Sequence, residues 1–216
     1  MIEQILYSLP FLWKGFLVTL AVSGLVVAIS LVFGVLFGIV LVYGPKPFAW
    51  SVRIFSDTIR GIPILVLIFF VYYGLPAIGL NLEAFAAAVL ALTLFKVAQV
   101  VENVRGAVTS IAKGQDEAAM AIGLTFPNRL RYVIFPQAMR RFLPPWLNGV
   151  TDAVKGSALV SLLGVTDLMH SINQVIGRTY DALPLYLLGA FIYFAVNYSL
   201  SLASRGLERK FAYIRE

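Results

Sequence analysis

The sequence predicts an all-α integral membrane protein: five transmembrane helices, N-terminus out and C-terminus in, with one short helix in a cytoplasmic loop. Three observations carry that prediction. Of 216 residues, 60% are hydrophobic and 13% charged, and the mean hydropathy is +0.86. A soluble domain carries about 25% charged residues, so this chain lacks the charge to coat a water-soluble globule. Long uncharged runs recur, and a crossing helix needs about 20 mostly apolar residues. The basic residues gather on one side of the resulting topology, as cytoplasmic loops do. The same composition narrows the chemistry. With no cysteine and one histidine, His170, disulfides and thiolate nucleophiles are excluded, and no metal site is expected.

The elements follow in order. Met1-Ile2-Glu3-Gln4 lacks the basic start of a cleavable signal. The first fourteen residues are expected at the membrane interface, anchored by Tyr7 and Trp13. The first span lies between Lys14 and Lys46, which enclose 31 uncharged residues. Within it Gly34 and Gly38 form a small-xxx-small pair suited to close helix packing. The second lies between Arg60 and Glu83, with 22 uncharged residues, and Pro63 near its cytoplasmic end should break or kink it. The third runs from Ala84 to about Val104 and contains Lys96 and Glu102. The fourth runs from about Val150 to Met169 and contains Asp152, Lys155 and Asp167. The fifth fits between Asp181 and Arg205, with 23 uncharged residues. Five crossings put 13 basic residues inside and only Lys14 and Arg178 outside. Removing the third would move six basic residues out, and removing only the fourth would expose the basic C-terminal tail. That tail reads as topology and anionic-lipid contact, with no nucleic acid implied.

Polar residues inside spans are costly and face a bundle interior or a water-filled path. Lys96, Gln99 and Asn103 fall at i, i+3 and i+7 on one helical stripe, with Glu102 at its edge. Either Lys96 and Glu102 pair with neighbouring helices, or the stripe lines a path for a polar solute. In the fourth span Lys155 follows Asp152 by three residues, and Ser157 and Ser161 lie four apart. Ser161 and Gly164 read as packing residues. The sizeable cytoplasmic segment is 106–147. Within it, 115–123 reads as a short helix: Asp116 and Glu117 suit the positive end of its dipole, Gly123 caps its C-terminus, and Pro127 prevents continuation. About two turns of helix are unstable alone, so this alanine-centred knob needs a partner surface or the lipid headgroups.

Glu117-Ala118-Ala119, three residues, Gly123, ten residues, then Ile134-Phe135-Pro136 resembles the EAA loop of ATP-binding-cassette importer permeases. The resemblance extends over roughly Pro10 to Leu207 and points to the polar amino acid branch. It runs through Gly15-Phe16-Leu17-Val18-Thr19-Leu20, Arg60-Gly61-Ile62-Pro63-Ile64-Leu65-Val66-Leu67, Lys113-Gly114-Gln115, Pro136-Gln137-Ala138-Met139-Arg140-Arg141 and Lys155-Gly156-Ser157. Ile62 and Leu67 stand where the branch is commonly polar, and Lys96 where a small polar residue is usual.

The resemblance implies a single permease domain over 1–216 that forms half of a translocation path in a bacterial inner membrane. It implies a second permease subunit, identical or homologous, two ATPase subunits, and a periplasmic or surface-tethered binding protein that delivers an amino acid. The knob would be the coupling helix, with Asp116, Glu117, Ala118, Ala119 and Gly123 as ATPase-coupling residues. Lys96, Gln99, Glu102, Asn103, Lys155 and Ser157 are the substrate-path candidates, Lys96 offering a cation to a substrate carboxylate. No G-x-x-x-x-G-K-[ST] cradle is present, so ATP would be bound by partner subunits, and no catalytic residue or cofactor of the chain's own is expected. The alternative class is a secondary transporter or channel not powered by ATP. Such folds often carry internal repeats, and none is evident here.

Overall fold

The computed structural model describes residues 2–211. Arg215, one of the cytoplasmic cations counted above, lies outside the described residues. The chain is helical nearly throughout, with no strand among the described residues. Helix α1 is Ile2–Tyr43, 42 residues, about 63 Å long at 1.5 Å per residue. It does not break after Lys14, so the expected interfacial segment is continuous with the first span. Tyr7 (89% exposed) and Trp13 (59%) stand out from it.

Helix α2 (Lys46–Gly61) is amphipathic and ends at Ile62–Pro63. Pro63 cannot donate a backbone hydrogen bond, and it disfavours helical geometry at the residue before it. Ile62 accordingly turns extended, and α3 (Ile64–Phe69) sets off afresh, continuing through a π turn and a 3-10 turn to Ile78. The two halves meet at 106°. Helix α4 (Ala84–Thr109) is the central post. Its apolar face, built on Ala87, Ala88, Ala91, Leu92, Val97 and Val101, is buried against α1, α2 and α3. The Gly34/Gly38 pair does what its spacing predicts. A Cβ on Gly34 would stand 2.5 Å from Val100 Cβ, and one on Gly38 2.6 Å from Val104 Cβ.

The segment 106–147 is mostly helix rather than loop. It holds α5 (Lys113–Ala121), α6 (Phe126–Arg129), a π turn over Leu130–Ile134, and the start of α7 (Phe135–Gly156). Helix α7 runs through Pro144 and Pro145 into the fourth span, then tightens into a 3-10 stretch, Ser157–Leu163. After Gly164 the chain bends by 50° into α8 (Leu168–Thr179). Helix α9 (Ala182–Phe211) closes the bundle and is mostly exposed. Three helices, α1, α4 and α9, are long and apolar enough to cross a membrane, and five crossings result if each bent pair counts as one. The knob α5 lies at one end of the bundle; the turns between α3 and α4 and between α8 and α9 lie at the far end.

Candidate functional site: a coupling knob and a polar path

The knob is built from local rules. Helix α5 begins two residues earlier than the sequence predicts and ends in a Schellman motif: Leu124 N–H donates to Ala119 O (3.1 Å) and Gly123 N–H to Met120 O (2.9 Å), with Gly123 at φ +80°. That left-handed conformation favours glycine, so Gly123 shapes the end of the knob. The two alanines divide their work. Ala119 is 3% exposed and packs inward, while Ala118 faces out beside Glu117. Ile122 (76% exposed) and Met120 (47%) complete an apolar tip. Asp116, expected among the coupling residues, is half-buried and pairs with Arg129 of α6 at 3.0 Å. It braces the knob against its own chain. Gln137 of α7 donates to Gln115 (3.3 Å), and the Arg141 guanidinium donates to Ser110 O. Phe126 meets Tyr43 edge-on, ring centroids 5.4 Å apart. The knob is therefore attached to α7 directly and to α1 through α6.

The predicted polar stripe is assembled, with one member turned away. Lys96, Gln99 and Asn103 line a single cavity of about 10 Å³ between α1, α4 and α7, closed by Ser30 and Trp146. Lys96 is 8% exposed; its Nζ donates to Gln99 Oε1 at 2.7 Å and lies against Gly149. A cavity of that size holds one water at most, so in this conformation Lys96 is sealed from any amino acid. Glu102 is not part of that cavity. It accepts from Arg105 at 2.7 Å and meets Arg60 of α2 at 3.7 Å, where Arg60 also approaches Asp57. Glu102 thus ties α2 to α4 beside the Pro63 break. Its i+3 offset from Gln99 puts it on the stripe's edge, and the edge belongs to α2. Ser157 is fully buried and donates back to Val154 O at 2.8 Å, so it lines no open space. Its position at the start of the 3-10 stretch turns it inward.

Lys155 is open. It is 62% exposed and pairs with Asp152, 61% exposed, at 3.5 Å. Asp152 is also the acidic group whose charge reaches Lys96. From Lys155 a groove of about 490 Å³ runs between α7 and α9 toward the knob end, lined by Asn148, Thr151, Asn197, Ser201 and Ser204. Sequence reasoning missed these five. The signal was present: Asn148, Thr151 and Lys155 lie at i, i+3 and i+7, and Asn197, Ser201 and Ser204 at i, i+4 and i+7. Such stripes in apolar helices do not face lipid cheaply. Outside this groove, α9 exposes several apolar side chains, among them Phe191, Phe194 and Leu202.

A bundle with bent crossings, a projecting braced helix and a polar furrow has the form of a membrane transport subunit. The sequence comparisons give its family: residues 30–213 match the binding-protein-dependent transport system inner membrane component, and the chain belongs to that family. Among curated relatives, it is 41% identical over 204 residues (93% of both chains) to the "Probable glutamine ABC transporter permease protein" of Bacillus subtilis. It is 36% identical over 205 residues (94% of each) to the glutamine transport system permease protein of Escherichia coli K12. Among solved structures, an amino acid ABC transporter crystallised with histidines superposes with a TM-score of 0.91 at 32% identity, covering 97% of each chain. The inward-facing MetNI methionine transporter superposes at 0.76, covering 94% of this chain and 97% of that one, and at 21% identity it shares the fold. The chain is a permease subunit of an ATP-driven importer in a bacterial inner membrane, which favours the ATP-driven class over the secondary transporter or channel.

Proposed function

We propose that this subunit carries a polar amino acid, of the glutamine type, through the furrow between α7 and α9, and that α5 receives the ATPase stroke. Two copies of the chain, or one and a homologue, enclose the path. Two ATPase subunits hydrolyse ATP beneath it, and a binding protein loads the opposite face, with the N-terminus out and the C-terminus in. The observation that carries the reading is the knob. Its outer face (Glu117, Ala118, Met120, Ile122) is exposed, while its inner face is held by α6, which meets α1, and by Gln137 of α7. The alanine lets a partner's backbone approach, and Glu117 supplies one charge for register.

In the path, the Asp152–Lys155 pair offers a carboxylate to a substrate ammonium and an ammonium to its carboxylate. The amides and hydroxyls below it suit a polar side chain, and Arg205 adds a second cation to the groove. Lys96, Gln99 and Asn103 form the closed reserve of the same path, reached when α7 withdraws and carries Trp146 with it. The chain is to be reconstituted with its ATPase and binding protein, and Glu117→Lys compared with the parent. The expected result is a subunit that inserts and assembles but loses ATP-driven uptake. Parental uptake in that variant removes the knob from the mechanism.

A further inference from the structure

The corner where α1 hands over to α2 carries a cationic groove that the transport path does not use. Gly44 and Pro45 turn the chain there, and α2 sets off at Lys46. The groove is shallow, holds about 520 Å³, and is walled by Leu41 of α1 and by Lys46, Ala49, Trp50 and Arg53 of α2. Lys46, Trp50 and Arg53 fall at i, i+4 and i+7, so one stripe of α2 presents both cations with an indole between them. The two charges start about 10 Å apart along the helix axis, and their long side chains can close that gap. Among the described residues, neither Lys46 nor Arg53 forms a salt bridge or a hydrogen bond. Glu102, the carboxylate whose charge reaches Arg53, is already held by Arg105 and Arg60.

The surroundings narrow the occupant. The inner face of α2 is spent on the fold: Val52 and Phe55 pack on Leu41, Val97 and Val101, and Ser56 donates to Ala98 O at 3.2 Å. Its outer face combines the cations with exposed apolar groups, Phe48 (65%), Trp50 (67%) and Ile54 (46%). The 106° bend at Pro63 sets α2 nearly crosswise to α3. A helix lying across the spans, with cations and large apolar side chains on its free face, has the character of an interfacial helix. Tyr43, just ahead of the corner, meets Phe126, so the groove sits at the knob end of the bundle. A soluble anion would satisfy Lys46 and Arg53 and leave Trp50 and Leu41 uncovered. A zwitterionic lipid would bring an ammonium of its own beside two cations. A lipid with a net negative headgroup satisfies both halves of the groove.

We propose that the groove at the α1–α2 corner is a binding site for an anionic phospholipid of the leaflet at the knob end. Its phosphate lies between the Lys46 ammonium and the Arg53 guanidinium, and an acyl chain runs over Trp50 and Leu41. The site goes beyond the importer reading and requires only that the chain sits in a bilayer.

The test uses the full complex with its ATPases in nanodiscs of phosphatidylcholine mixed with phosphatidylglycerol, one or the other lipid carrying dibrominated acyl chains that quench a neighbouring indole. Subtracting Trp50→Phe from the parent isolates the Trp50 emission from that of Trp13, Trp146 and the other subunits. Brominated phosphatidylglycerol should quench Trp50 at a mole fraction about fivefold lower than brominated phosphatidylcholine needs. Lys46→Gln with Arg53→Gln should bring the two lipids within about 1.5-fold of each other. Lys46→Arg with Arg53→Lys, which keeps both charges, should keep the preference. Arg131→Gln with Arg209→Gln removes two cations elsewhere and should also keep it; all four positions are exposed, so folding is not at stake. Equal quenching by both lipids in the parent overturns the proposal, as does an unchanged preference in the Lys46/Arg53 glutamine pair. No quenching by either lipid means that another subunit covers α2, and overturns it too. An equal loss in the Arg131/Arg209 pair makes the effect diffuse surface charge and removes the site. Sodium phosphate, matched in ionic strength to sodium chloride, should displace the lipid no more than chloride does; displacement by phosphate alone gives the groove to a soluble anion and overturns the lipid. ATP-driven uptake by the same complex is measured separately, so failure of the importer reading and failure of the lipid site are told apart.

Discussion

A single methyl group measures how closely α1 and α4 approach. A Cβ at Gly34 would overlap Val100, which is itself buried. Gly34→Ala is therefore expected to destabilise the fold by about 1–3 kcal/mol through overpacking, seen as a lower unfolding temperature in detergent. Gly24→Ala, which meets nothing within 4 Å, should leave it unchanged. Charged residues divide by the same local logic. Lys96 holds Gln99 beside the path, whereas Glu102 joins two helices. Lys96→Ala should slow uptake about tenfold, whereas Glu102→Gln should lower thermal stability and leave the KM for substrate near the parent value. Equal KM effects from both would return Glu102 to the path. The i, i+3, i+7 arithmetic found the stripe. It could not show that α2 claims the edge residue, because α2 is some forty positions away in the chain.

At the level of elements, the knob was the most legible part of the sequence. An alanine-centred stretch and a capping glycine describe one short helix almost completely, since caps and turns are set by neighbours along the chain. Gly123→Ala forces a side chain into a left-handed conformation and should cost about 1–2 kcal/mol. The expected readout is faster amide exchange over 113–121 without loss of the spans; unchanged exchange would mean the Schellman turn is not limiting. What remained hidden was which way Asp116 points. Acidic residues at the start of a helix suit its dipole, but Arg129, brought back by α6, pairs with Asp116 and leaves Glu117 as the outward charge. The bends differ in the same way. Pro63 announces the break after α2 by its chemistry, whereas its angle of 106° follows from how α2 and α3 pack on α4. From α6 through α7 the chain is nearly continuous helix, although Pro127, Pro136, Pro144 and Pro145 are turn signals in water. Tertiary packing carries a helix through the last two.

For the whole molecule, the charge partition makes a topological prediction that labelling can check. In the cysteine-free chain, Glu117→Cys should react with a membrane-impermeant thiol reagent only when the cytoplasmic face is open. Tyr180→Cys, 89% exposed at the far end, should react in intact cells. Labelling of Glu117→Cys from outside would invert the orientation and remove the site of ATPase contact. The furrow between α7 and α9 belongs to this scale too. It joins residues some fifty positions apart, from Asn148 on α7 to Asn197 on α9.

Span length, the inward bias of cations, the broken second crossing, the knob and the family resemblance could all be read along the chain. Each depends on residues within a few turns of one another, or on totals that ignore contacts. The sealing of Lys96, the inward burial of Ser157, the α7–α9 furrow and the bond from Leu168 N–H to Thr19 Oγ1 came from packing. They depend on which helix face abuts which, and that is settled by close packing and shared hydrogen bonds between distant segments, where periodicity within one helix carries no information.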